Sequence, residues 1–508
     1  MEEKGKRPDY QRVKVSLRKL SLEESLQHLW NFSRLISSRV SLPYAYEFND
    51  PKGLWSKLPD YVFPHEVELF ARELILHAGR SSRSGTETLA KWETLATAFQ
   101  AIKDFGNYSF DPDVEGGVRR TLHQLAHQQL PRFSKFSKAR IGRYLALYRS
   151  TAIRALFESK LRIEVEKYFI LAFGVIAGFN NRARLNTTTD FSVLGVDSAS
   201  SDAFFSRLVG RLEDMRQKAI ECQRLNSTWE YTFNPFHFKP LIALDPKCPE
   251  RVYCPVPSIL ERRLLDGTYY DLERAKGFPN AFGGAVEEVF GRILRELRPR
   301  YEVYKPAPFF IGKARYDGTD WIVSRDHHLV FVECKAKRMS LPARVAETLA
   351  EVDAELGILA DAVVQNYANI HREMSRKQQE GLSGDHFYNV VMTIEDWFLF
   401  SNLTFGMLHD QVVKRFSDRK LPVSLIGTVP YRVLSFEAAQ HWVGALNVST
   451  VEHVLGSTNE EKFTGWAYVS YLQTEFPDVE VEAVGGFEVD FDEVFQPVMD
   501  VLERSGDS

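Results

Sequence analysis

The apolar positions along the chain fall into two regimes. Up to about residue 235 they recur at helical spacing. Leu22, Leu26, Leu29 and Phe32 line one face of 21–40, and Ser21 with Glu24 forms a capping box at its start. Residues 65–79 repeat the pattern and run into a glycine, a common helix stop. Residues 200–225 predict a further long amphipathic helix, capped by Ser200 or Ser201. Residues 234–257 are proline-rich and aperiodic, so 236–275 is expected to be a connector.

The pattern then changes. Residues 276–300 predict a helix with Phe282, Val286, Val289, Phe290, Ile293, Leu294 and Leu297 on its apolar face, closed by Pro299. Residues 301–313 read as extended, 320–324 as a short strand, and 329–337 as a strand apolar on both faces in its first half, as a central strand is. A long helical stretch (344–374) and a β-rich run (387–397) follow. Past residue 400 the expectation is a helix near 410–416, a strand near 431–435 and a mixed α/β extension. The predicted architecture is α+β and multi-domain: a helical region (1–235), the connector, an α/β core with a mixed sheet flanked by helices (276–400), and an α/β C-terminal extension (401–508).

Length supports the division, since 508 residues exceed one compact core. Four cysteines, Cys222, Cys248, Cys254 and Cys334, imply no disulfide framework and fit a reducing cytoplasm. Cys248 and Cys254 are too widely spaced for a zinc knuckle. The N-terminus is charged and lacks the apolar core of a signal peptide. The longest apolar run, 168–179, falls short of the ~20 residues that cross a bilayer, so no membrane partner is expected.

One segment, 318–338, carries chemistry. Asp320 opens a strand, twelve residues intervene, and Glu333, Cys334 and Lys335 lie inside the next. Strand side chains alternate, so Glu333 and Lys335 share a face. An acid and a base on an otherwise apolar strand are costly unless paired or bound to an ion. Hard oxygen ligands such as Asp320 and Glu333 suit Mg²⁺ or Mn²⁺, and a nearby ammonium suits the charge that grows on a phosphate. The Cys334 carbonyl is a further candidate ligand. Six other acid-x-lysine tripeptides occur, none ending a buried-looking strand behind an aspartate-led one. Asp317, in the preceding turn, is the alternative acid.

These residues resemble the PD-(D/E)xK nuclease superfamily, with Asp320, Glu333 and Lys335 at its three motif positions and Thr319 where its proline stands. The resemblance covers about a quarter of the chain. It implies a restriction-endonuclease-like core of helix, three strands, helix and strand over 276–400. It implies Mg²⁺- or Mn²⁺-dependent endonucleolytic hydrolysis of DNA, with RNA as the alternative, and a setting such as restriction or antiviral defence. It adds Glu287, with Glu288 second, as a metal-holding glutamate on the first helix. It makes Gln365 and Tyr367 candidate polar groups on the helix after the lysine strand, although packing is the favoured reading of both. The rival is a non-catalytic nucleic-acid-binding or scaffold protein with a decayed nuclease fold.

The net charge of −4 hides local asymmetry. Nine basic residues and one acid, Glu158, lie between Arg132 and Arg162, with aromatics interleaved. Arg140 and Arg143 in that run, and Lys337 and Arg338 beyond the lysine strand, are candidate phosphate contacts. Residues 475–508 hold eleven acids and one arginine, expected to be a solvated face, with shielding of a basic surface as the alternative. His123 and His127 share a helix face and are expected to be packing residues. His327 and His328 are expected in a polar hairpin turn, where they could approach phosphate. The helical region is expected to meet substrate, a partner protein or a second copy of the chain.

Overall fold

The computed structural model describes residues 9–47, 50, 52–79, 87–107, 117–133, 136–226, 228–311, 314–316, 318–346, 348–382, 384–400, 404–456 and 466–506. It is an α+β protein with two mixed sheets. No described helix is long and apolar enough to cross a membrane. Asp317 lies outside the described residues.

The chain divides into two compact units. One comprises Met1–Phe136, Phe157–Arg274 and Val494–Ser508, the other Ser137–Leu156 and Ala275–Glu493. The four-segment expectation is corrected at three places. Residues 236–275 do more than connect: they supply strands Leu241–Ala243 and Arg251–Tyr253 and helices Pro257–Leu265 and Thr268–Leu272 to the first unit. Residues 401–493 belong to the same unit as the 276–400 core and share its sheet. So does 137–156, far upstream in sequence.

The first unit is mostly helical. Leu22, Leu26, Leu29 and Phe32 are buried as their spacing requires, on a helix Leu22–Ser38. Ser21 makes no side-chain cap; the Leu22 amide donates instead to the Gly79 carbonyl. The 168–179 run lies in the helix Val165–Asn181, where Tyr168, Phe169, Leu171, Val175, Ile176 and Phe179 are buried. The long helix expected over 200–225 is two helices, Ser198–Leu208, capped by Asp197, and Leu212–Cys222. Between them Val209–Arg211 pairs in parallel with Leu241–Ala243, completing a sheet ordered 184–186, 251–253, 241–243, 209–211. A Cβ on Gly210 would stand 2.5 Å from Met215 Sδ, so a larger residue at the break would have to displace the Met215 side chain. His123 and His127 pack ring to ring, centroids 4.6 Å apart.

The second unit is built on a five-stranded sheet. Its elements are α1 (Lys138–Arg149), α2 (Phe278–Arg295), β1 (Glu302–Tyr304), β2 (Trp321–Arg325), β3 (His328–Lys335), α3 (Leu349–Gln379), β4 (His386–Thr393), α4 (Gly406–Asp418), β5 (Tyr431–Leu434) and α5 (Phe436–Val448). A separate hairpin, Phe309–Ile311 with Ala314–Tyr316, stands between β1 and β2. The strand order is β5-β4-β3-β2-β1: β1, β2 and β3 form an antiparallel meander, while β4 and β5 run parallel to β3. Parallel neighbours need long crossovers, and α3 and α4 supply them.

The sheet buries both faces. Leu329 and Phe331 of β3, with Ile322 of β2, pack under α3 on Leu359, Val363 and Tyr367. Within α3, Asn366 donates to the Phe331 carbonyl (2.9 Å) and to Asn389 Oδ1 (2.8 Å), and Asn389 donates back to the Val363 carbonyl (3.0 Å). Both asparagines are fully buried. This polar tie fixes the rotation of α3 over β3 and β4, because a slip would strand its donors away from water. The apolar face expected of α2 is buried, including Phe282, Val286, Val289, Phe290, Ile293 and Leu294.

Candidate active site

Two strands and two helices bring the sequence candidates together. The β2–β3 register pairs Trp321 with Val332, so Asp320 enters just beside Glu333. Thr319 pins that entry: its hydroxyl donates to the Val332 carbonyl at 2.7 Å. The Cys334 amide donates to Asp320 Oδ2 at 2.7 Å. Glu333 and Lys335 project to the face that α3 covers, and Lys335 Nζ stands 2.8 Å from Glu333 Oε1. Gln365 Nε2, one helical position before the asparagine tie, donates to the same Oε1 at 3.1 Å.

Glu287 comes from α2. Trp321 Nε1 donates to its backbone carbonyl at 3.3 Å. A Cβ on Gly291 would sit 2.1 Å from Trp321 Cζ2, so glycine is what lets α2 lie against β2. The Glu287 carboxylate is ion-paired with Lys305, and its charge acts on Asp320, Glu333 and Cys334 alike. Glu288 turns elsewhere, accepting from Ser150 at 2.6 Å.

The electrostatics set this cluster apart. Burial, then the Glu333 charge, pushes the Asp320 carboxyl up to about 7. Burial also raises Glu333, opposed by Lys335. The Cys334 thiol, raised by burial, is no nucleophile. Glu333 is 3% exposed, and its Oε2 is buried without a hydrogen-bond partner. A bare buried carboxylate oxygen beside a second carboxylate that resists ionisation is an arrangement that a cation relieves. Among the described residues no three His, Cys, Asp or Glu side chains stand ready as a ligand set. Two carboxylates with the Cys334 carbonyl still suit Mg²⁺, which keeps several of its waters.

Other candidates are placed differently. Tyr367 is core: its hydroxyl donates to the Val429 carbonyl at 2.7 Å. Tyr367→Phe is therefore expected to cost about 1 kcal/mol of stability, read as a lower denaturant midpoint, with the site intact. Arg338 does not face a phosphate; it is 5% exposed and directed at Glu395. Arg143 is engaged inside the unit, donating to Gln440 Oε1 at 2.6 Å with its guanidinium over Phe436. Arg140 is half-buried on the same helix, α1, which is buried on several sides. Lys337 is exposed, 3.9 Å from Glu355. Between Lys138 and Arg149 the basic run is thus a largely packed helix, whereas Lys160 and Arg162 farther along it are exposed. Two acids of the tail pair with this helix while staying exposed, Asp492 with Lys138 (3.1 Å) and Glu493 with Arg149 (3.2 Å), and Asp490 pairs with Arg292 of α2 (2.6 Å). His327 and His328 lie at the far end of β3, about 16 Å of strand from Glu333. They pair with Asp385 (3.4 Å) and Glu452 (2.6 Å), away from the site.

Sequence reasoning passed over Lys305 and Trp321 and favoured packing for Gln365. Gln365 was discoverable from α3 spacing, next to two buried valines. Lys305 had no signal, because it lies outside any regular element. Comparison with known protein families, curated proteins and solved structures finds no match to this chain, so the functional reading rests on the residues of this site themselves.

Proposed function

We propose that the chain is a divalent-metal-dependent nuclease that hydrolyses phosphodiester bonds in DNA, of the PD-(D/E)xK type. The observation that carries this is the unpartnered, buried Glu333 Oε2 beside Asp320, with Lys335 and Gln365 holding the other Glu333 oxygen. The order helix, three strands, helix, strand, with the mixed sheet it builds, also agrees with the restriction-endonuclease-like core that the resemblance implies.

Asp320, Glu333 and the Cys334 carbonyl would hold Mg²⁺ or Mn²⁺, with Glu287 as an outer carboxylate. The bound ion supplies phosphate polarisation and a more acidic water. Lys335 keeps its ammonium beside the carboxylates, where it donates a hydrogen bond to the attacking water or to a phosphate oxygen as charge grows. Gln365 holds Glu333 Oε1 with a neutral donor and so fixes which oxygen faces the ion. Asp320 is held in place by the Cys334 amide.

The test is cleavage of supercoiled plasmid, single-stranded DNA and RNA with Mg²⁺ or Mn²⁺. Wild type is expected to cut DNA. Lys335→Ala should be slower by about 10²–10³-fold, and Asp320→Ala reduced to background. Gln365→Ala should be about tenfold slower, a loss of the size one positioning hydrogen bond makes. Cutting RNA alone would transfer the reading to an RNA nuclease. No metal-dependent cleavage of any of these would overturn it in favour of a non-catalytic scaffold.

A further inference from the structure

The Lys305–Glu287 ion pair stands at the edge of this centre, and nothing in the reaction as described uses it. Lys305 follows β1 directly, outside any regular element, with its side chain half-exposed. Its neighbour Pro306 is packed close to Gly318, where an added Cβ would meet Pro306 Cγ at 3.2 Å. The Lys305 segment is thereby held next to the turn that leads into Asp320. The ammonium has two resting contacts. One is the Glu287 carboxylate; the other is the face of Trp321, with Nζ 4.9 Å from the ring centroid. Glu287 in turn acts on Asp320 and Glu333, so it belongs to the same charge cluster. Three carboxylates there face two ammonium groups, those of Lys335 and Lys305.

We infer that Lys305 is a displaceable counter-cation. Resting on the nuclease reading, this makes Lys305 a positioning residue that acts through Glu287. In the ion-free protein it neutralises Glu287 and occupies that carboxylate. A dication entering between Asp320 and Glu333 competes for Glu287, and the ammonium, released from that carboxylate, keeps only its contact with the Trp321 face on the same side of the centre. There it stands free to meet an anionic substrate. Lys305 thus couples metal entry to phosphate binding: the ion and the lysine exclude each other at Glu287, while ion and substrate favour each other. Lys335 is not placed for this, since its carboxylate partner is Glu333 and not Glu287. Arg295, whose guanidinium also lies 4.9 Å from the Trp321 centroid, adds positive charge nearby and serves as the control for a general field effect.

The test measures Mn²⁺ affinity by calorimetry on the full chain, for wild type, Lys305→Gln, Glu287→Gln, the double variant, Arg295→Gln and Asp320→Asn. Lys305→Gln is expected to tighten Mn²⁺ binding about fivefold, the scale of an exposed ion pair. The tightening should vanish in the Glu287→Gln background and be absent in Arg295→Gln. With Mn²⁺ saturating, Lys305→Gln should raise KM for DNA with little change in kcat. Unchanged or weaker Mn²⁺ binding by Lys305→Gln overturns the inference. So does equal tightening in the double variant or in Arg295→Gln, which would indicate a general field. In those cases wild-type binding that depends on Asp320 leaves the nuclease reading standing. Mn²⁺ binding that Asp320→Asn does not weaken overturns that reading as well.

Discussion

Asp320→Asn is expected to make the ion-free protein more stable at pH 8 while abolishing cleavage. The Asp320 carboxyl titrates near 7 in the fold, against an ordinary value of 3.8. A folded value above the unfolded one means that the native state holds its proton more tightly. The associated stability is complete below pH 4, is lost as pH rises through 7, and stays lost above. Asparagine cannot ionise, and its amide oxygen can still accept from the Cys334 amide. The gain should therefore be near zero at pH 4, grow to pH 7 and level off, reaching about 2–4 kcal/mol given the coupling to Glu333. Denaturant midpoints of both proteins at pH 4, 6 and 8 read this directly. A difference that does not depend on pH, or a less stable variant at pH 8, would contradict the burial argument. Mn²⁺ at about 1,000 times its Kd should close or reverse the gap, since it adds about 4.1 kcal/mol to a protein that binds it and nothing to one that does not.

Gly291→Ala is expected to lower stability by about 3 kcal/mol, at the upper end of overpacking costs. The added Cβ would stand 2.1 Å from Trp321 Cζ2 and 2.7 Å from Cη2, and the indole has little room to give. Trp321 is 3% exposed, carries the hydrogen bond to the Glu287 carbonyl and lies beneath both Lys305 and Arg295. Moving α2 off β2 would also withdraw Glu287 from Asp320, so cleavage should fall even where the variant is folded. The same helix offers a control. Gly283 has nothing within 4 Å of an added Cβ, so Gly283→Ala should be neutral or stabilising by up to about 1 kcal/mol through helix propensity. Equal thermal midpoints for the two alanine variants would refute the packing account.

Most of the second unit could be read from the chain because its elements obey simple periods. The 3.6 spacing of Phe282, Val286, Val289, Phe290 and Ile293 fixed α2, and the apolar half of β3 marked a central strand. The motif carboxylates and lysine were visible because they contradict that apolar strand. Three things stayed hidden. Helix continuity over 200–225 was overridden by tertiary pairing of Val209–Arg211, which no local pattern announces. Lys305 depends on where a loop passes. The ion pairs Lys138–Asp492 and Arg149–Glu493 had no local signal, because each spans more than 340 residues. Charge clusters of opposite sign in one chain are better read together than singly.

The place of β5 in the sheet bears on how this polypeptide matures. Glu287, Asp320, Glu333, Lys335 and Gln365 have all left the ribosome before Tyr431–Leu434 is made, yet β4 keeps one bare backbone edge until that strand arrives. A nascent chain therefore carries every residue of the proposed site on an unfinished scaffold. A fragment ending near residue 400 should aggregate, whereas one that retains β5 and α5 covers the edge. Proteolysis or premature termination between those points would leave an insoluble remnant and not a soluble fragment that carries the site.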